Sequence, residues 1–164
     1  MEVEEFNNLP AETASEKMLA VCHSAHWAKE IVSARPYKDL SDLKIRAQTA
    51  WLGVSEADIL EAFSGHPKIG DLNVLKDKFS IASAEQGQVT SADESVLQDL
   101  VDMNQAYEEK NGFIFIVCAS GKPAEDMRDM LKKRLQNDRA KELVNGAMEQ
   151  AKITELRLDK LFGA

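Results

Sequence analysis

The chain reads as all-α: a single-domain helical bundle over residues 1–164 with one extended apolar segment near residues 113–119. Three observations predict this. Apolar residues recur at three- and four-residue steps through most of the sequence, as they do on the inward face of a helix. Helix starts and stops such as Gly53, Ser55, Asn111-Gly112 and Pro123 punctuate those stretches. Only Phe113 to Ala119 is continuously apolar, β-branched and aromatic, as a buried strand would be. One strand cannot make a sheet. The segment is therefore expected to run extended through the core, with main-chain N–H and C=O groups that must bond something other than a ladder partner. An ordinary buried strand is the competing reading.

Pro10 suits a first helical turn, and Thr13 with Glu16 forms a capping-box pattern ahead of Met18, Leu19 and Val21. The next helix carries Trp27 and Ile31 and stops before Pro36, because the residue preceding a proline avoids helical geometry. Ser41 is placed to cap a helix from Leu43 to Leu52 that Gly53 ends, and Ser55 opens a shorter one reaching about Phe63. Val96, Leu97, Leu100, Val101, Met103, Asn104 and Tyr107 mark a helix from Ser91 to Lys110. After Pro123, Met127, Met130, Leu131 and Leu135 mark another, and Leu143, Val144, Ala147, Ala151, Leu158 and Phe162 mark a long final helix. Trp27 and Trp51 stand singly in these patterns and read as core.

A formal charge of −8, from 20 basic and 28 acidic side chains, repels phosphate backbones, so nucleic acid is not an expected partner. Lys132-Lys133-Arg134 lies among acids and reads as a solvated helix face. Cys22 and Cys118 are too far apart in sequence to suggest a disulfide framework, and no signal-like or membrane-length apolar run is present. A cytoplasmic protein with no membrane partner is the expectation. Cys22, His23 and His26 do not complete a metal site by spacing, and neither Gly121-Lys122 nor Gly65 to Gly70 forms a phosphate-binding loop, so no metal or nucleotide is expected.

The candidate chemistry starts at Gly65-His66-Pro67-Lys68-Ile69-Gly70-Asp71. Gly65 ends a helix, Pro67 drives His66 toward extended geometry and Gly70 permits a second turn, so the imidazole is presented on a loop. An imidazole there suits general acid or base work near neutrality; the alternative is that it bonds a helix end. Glu85 and Gln86 precede Gly87 at a plausible helix C-terminus, where a carboxylate gains nothing from the dipole, although surface glutamates are common. Arg157 lies four residues from both Ile153 and Leu161, on an apolar stripe, where a guanidinium needs an anion: either an internal acidic partner or a bound carboxylate.

Taken in order, the HPKIGD loop, Ser83-Ala84-Glu85-Gln86, the run from Asn111 to Lys122 and Glu155-Leu156-Arg157-Leu158-Asp159-Lys160-Leu161-Phe162 resemble the 2-oxo-4-hydroxy-4-carboxy-5-ureidoimidazoline (OHCU) decarboxylase family. Arg35-Pro36-Tyr37 and the segment from Leu43 to Trp51 extend that resemblance upstream. It implies a carboxy-lyase of urate degradation that makes (S)-allantoin without a cofactor. It further implies catalytic roles for His66, Glu85 and Arg157, and substrate contacts from Pro67, Ser83, Gln86 and the main chain around Ile114, Ile116, Val117, Cys118 and Ala119. A small-molecule ureidoimidazoline substrate and a homodimer are the implied partners. Some family members end in a peroxisomal signal, whereas this chain ends Leu161-Phe162-Gly163-Ala164. A non-catalytic helical module that binds a ureide or a protein is the alternative from another class.

Overall fold

The computed structural model describes residues 1–67 and 91–163. Among these the regular structure is helical: α1 (Val3–Asn8), α2 (Ala11–Val21), α3 (Ala25–Ser33), α4 (Leu40–Leu52), α5 (Glu56–Ser64), α6 (Ser91–Asn111), α7 (Ala124–Arg134) and α8 (Arg139–Leu161). The chain divides into two compact units, one of Met1–His66 with Ala147–Ala164 and one of Pro67–Gly146. No helix among the described residues is long and apolar enough to cross a membrane.

In the first unit the core is built on Phe6, Met18, Trp27, Ile31, Leu43 and Leu158, all buried. Both tryptophans satisfy their indole N–H on a main-chain oxygen: Trp27 donates to Ala47 at 3.1 Å and Trp51 to Ala147 at 2.9 Å. Large aromatic area is thereby buried with no orphaned donor. Arg35 donates through Nη1 to the carbonyls of Phe6 and Leu9, both at 2.8 Å, bringing a cation to the C-terminal end of α1.

Two helix starts differ from the sequence expectation. Helix α2 begins at Ala11 behind Pro10 with no side-chain cap, so Thr13 is already inside it and the Thr13–Glu16 capping box does not form. The cap of α4 is Asp39, which accepts from the Asp42 amide at 2.9 Å, and Ser41 lies within the first turn. A carboxylate there satisfies a free amide and also meets the positive end of the helix dipole, which a hydroxyl does less well. Ser55 does cap α5, in a reciprocal box with Asp58.

In the second unit α6 packs on α7, and Tyr107 lies edge-on to Phe113 and Phe115 at centroid distances of 6.0 and 5.4 Å. Gly112 adopts a φ of 78°, which side-chain-bearing residues avoid, and so lets the chain leave α6. Residues 114–119 then form neither helix nor strand.

Two of their carbonyls find partners in side chains. Arg134 Nη1 donates to the Ile116 oxygen at 2.5 Å, and Lys122 Nζ to the Cys118 oxygen at 2.9 Å. Arg134 thus contradicts its expected place on a solvated face. Lys132 and Lys133 are exposed, whereas Arg134 is buried against Phe115, 4.6 Å from that ring's centre, and its Nε pairs with Glu142 Oε1 at 2.7 Å. Glu142 also accepts from the Tyr107 hydroxyl at 2.7 Å and from the amides of Asn137 and Asn145 at 2.9 and 2.8 Å. Burial opposes its charge, yet these donors outweigh it and hold the carboxyl below its ordinary value of 4.5.

Arg134→Leu would leave Glu142 buried without its cation and Ile116 without its donor. A loss of about 3–5 kcal/mol is expected in urea unfolding. A change below about 1 kcal/mol, the range of exposed ion pairs, would show that this network does not hold the segment.

Candidate active site

His66 takes its position from the end of α5. Its amide donates to the Phe63 carbonyl at 3.1 Å, so its main chain closes the helix while its side chain turns elsewhere. Gly65 is needed for space. A Cβ added there would stand 2.4 Å from the His23 Cβ and 2.9 Å from its Cγ, so only glycine lets the two segments pass this closely. His23 and His26 are themselves exposed, and Cys22 is buried.

The His66 imidazole is half-buried, with Nε2 2.5 Å from Gln150 Oε1. It therefore bonds a side chain inside α8 and not a helix end. Burial, which disfavours the charged ring, lowers its pKa below 6.5; the bond to Gln150 works in the opposite direction, and the nearby Arg157 charge adds to the lowering. The neutral, proton-accepting form is thus the resting form at neutral pH.

Arg157 lies on α8 and donates through Nη1 to the Val21 carbonyl at 3.0 Å. Val21 is the last residue of α2, so the guanidinium answers an orphaned carbonyl at a helix end. Among the described residues its partner is a main-chain oxygen and not a carboxylate. An internal ion pair therefore does not account for its position there.

Gln150 and Thr154 went unrecognised in the sequence. Gln150 Nε2 donates to Thr154 Oγ1 at 3.2 Å, and Thr154 lies near enough to the buried Cys22 thiol to oppose the effect of burial on it. With Arg157 they form a polar row at i, i+4 and i+7 on α8. Both stand on the stripe read from Ala147, Ala151 and Leu158, and a polar residue at an inward position was the available signal, as it was for Arg157. Burial pushes the Cys22 thiol up to about 12, so it is not a nucleophile at neutral pH.

Of the expected site residues, His66 and Arg157 come together in the first unit, near enough for the arginine's charge to act on the imidazole. Pro67 is exposed. Ile114, Ile116, Val117, Cys118 and Ala119 belong to the second unit, with Ile116 buried and the others half-buried. Among the described residues, the main-chain N–H groups of Ile114, Ile116 and Val117 make no hydrogen bond. Ser83, Glu85 and Gln86 lie outside the described residues.

Residues 7–159 match the model of the OHCU decarboxylase family. The chain belongs to that family. It is 39% identical over 158 residues to the uric acid degradation bifunctional protein of Arabidopsis thaliana, a match covering 92% of this chain and 48% of the relative. It is 23% identical to the 2-oxo-4-hydroxy-4-carboxy-5-ureidoimidazoline decarboxylase of Haloferax volcanii, covering 87% of this chain and 84% of that one. The chain spans about half the length of the Arabidopsis relative and about a third of the bifunctional protein of Bacillus subtilis, where the shares are 48% and 32%. Among solved structures, an OHCU decarboxylase crystallised in the presence of (S)-allantoin superposes with a TM-score of 0.76 at 36% identity, over 91% of this chain and 99% of that one.

The His66 ring should titrate below 6.5 when followed by proton NMR. Replacing Arg157 with Met should move the midpoint upward by removing a nearby positive charge. A midpoint at or above 6.5 in the unaltered protein would mean that burial does not govern this ring.

Proposed function

We propose that the chain decarboxylates OHCU to (S)-allantoin and carbon dioxide in urate degradation, as a single domain over residues 1–164 and as a cytoplasmic homodimer. The observation that carries this reading is the pairing of a neutral, half-buried His66 with a guanidinium whose partner among the described residues is a carbonyl, in a chain of this family. A free acceptor of protons and a cation able to hold a carboxylate are what this decarboxylation requires.

The chemistry needs no metal or organic cofactor. When the bond to the carboxylate breaks, its electron pair moves into the adjacent ring imine, so the substrate is its own electron sink. Arg157 holds the departing carboxylate through its planar donor fork and aligns that bond with the ring π-system. His66 and Glu85 deprotonate the ring hydroxyl and deliver a proton to the ureido-bearing carbon. Pro67, Ser83 and Gln86 line the substrate, and the main chain of Ile114, Ile116, Val117, Cys118 and Ala119 bonds its ureide and imide groups. The unbonded N–H groups in that segment support this last role.

Catalytic amounts of protein added to freshly generated OHCU should yield allantoin that rotates polarised light, since a fixed acid reaches one face of the planar intermediate while spontaneous breakdown protonates both. His66→Asn should lower turnover roughly 10²- to 10⁴-fold while allantoin still binds. Racemic product at the uncatalysed rate, from folded protein that binds allantoin, would leave a binding module as the reading. The dimer is supported by the family resemblance and by Ile45 and Leu52, exposed one above the other on α4. Light scattering that returns a monomer at micromolar concentration would reject it.

A further inference from the structure

The contact between His66 and Gln150 decides which nitrogen of the imidazole can act. Gln150 Oε1 stands 2.5 Å from Nε2, and an amide oxygen carries no hydrogen, so the proton in that bond belongs to Nε2. The other end of the amide is held as well. Its Nε2 donates to Thr154 Oγ1 at 3.2 Å. Gln150 has no exposure, and Thr154 has 7%. The amide and its Thr154 partner therefore lie away from solvent.

We propose that Gln150, oriented by Thr154, is a positioning residue: it keeps Nε2 of His66 protonated and leaves Nδ1 as the nitrogen that takes and returns the substrate's proton. The role given to Nδ1, and the use of the acid–base cycle against a turned amide, rest on the decarboxylase reading; the contact of Oε1 with Nε2 does not.

Turning the amide over would reverse both bonds. The Gln150 NH₂ would donate to the ring and the Thr154 hydroxyl to the amide oxygen. That arrangement fails as soon as the ring is protonated, because an imidazolium N–H would then face an amide N–H. An acid–base cycle passes through the imidazolium. Only an oxygen opposite Nε2 serves both protonation states, and it serves the charged one with a stronger, charge-assisted bond. The spacing of Gln150 and Thr154, one helical turn apart on α8, makes the arrangement local and rigid.

Long-range nitrogen–proton NMR of the His66 ring, recorded above its titration midpoint, reads the tautomer directly. The unaltered protein should show Nε2–H alone. Gln150→Leu and the shape-conserving Thr154→Val should both admit the Nδ1–H form. With OHCU, Gln150→Leu should lose roughly 10- to 100-fold in kcat, the effect typical of partners that orient a functional histidine, with KM changed by less than about two-fold because the residue does not touch substrate. An Nδ1–H ring in the unaltered protein overturns the proposal and needs no variant. A tautomer unchanged in both variants overturns the role of Gln150. Absence of allantoin formation by a protein that nonetheless shows Nε2–H, lost in the variants, would remove the decarboxylase reading and leave the tautomer assignment standing.

Discussion

A carboxylate with no exposure to water is the constraint around which the second unit is arranged. Glu142 would destabilise the fold by several kcal/mol if buried as a bare charge, so its surroundings must supply donors on every side. Tyr107 supplies one from α6, Arg134 another from α7, and Asn137 and Asn145 flank it near the start of α8. These partners lie on separate stretches of chain, and each must be in place for the charge to be tolerated. The network also contributes stability only while ionised. That contribution is present above the carboxyl's ordinary value of 4.5 and is lost as pH falls through the lower value it has in the fold.

The same network explains how an apolar run can stay extended without a sheet. Arg134 has donors left after pairing with Glu142 and gives one to the Ile116 carbonyl, while its planar face covers Phe115. Lys122 does the same for Cys118 from beyond the turn at Gly121, whose φ of 72° brings the chain back. Two carbonyls of the run are thus satisfied by cations, which can serve only as donors. Main-chain N–H groups in the run cannot be satisfied in that way. They are the groups a ureide carbonyl would meet, which connects a packing solution to the proposed recognition of substrate.

The periodic part of the fold was legible in the sequence because helices bury one face and the spacing records it. What spacing does not record is which polar residue of a cluster does the bonding. Asp39 and Ser41 both have capping side chains, and the choice depended on where the turn before α4 placed each. Helix α1 went unforeseen because its six residues bury only Phe6, too few for a period. Arg134 was hidden in a basic triplet of which two members are exposed, and only the third meets Glu142. In the candidate site His66 and Arg157 could be singled out because each broke a local pattern. Gln150 broke one too, but an amide has no chemistry of its own to attract notice, and its partner is far away in sequence.

Arg157 shows how a carbonyl and a carboxylate differ as partners. Both would fix the side chain, but an acid would cancel its charge, whereas the Val21 oxygen leaves nearly all of it in place. That remaining charge has two effects. It reinforces burial in keeping His66 neutral and able to accept a proton, and it offers an anion a site with no internal competitor among the described residues. One choice of partner at the end of α2 therefore suits both the proposed base and the proposed carboxylate clamp, and in the arrangement proposed above the Gln150 oxygen accepts from Nε2 and leaves Nδ1 as the free nitrogen of that base.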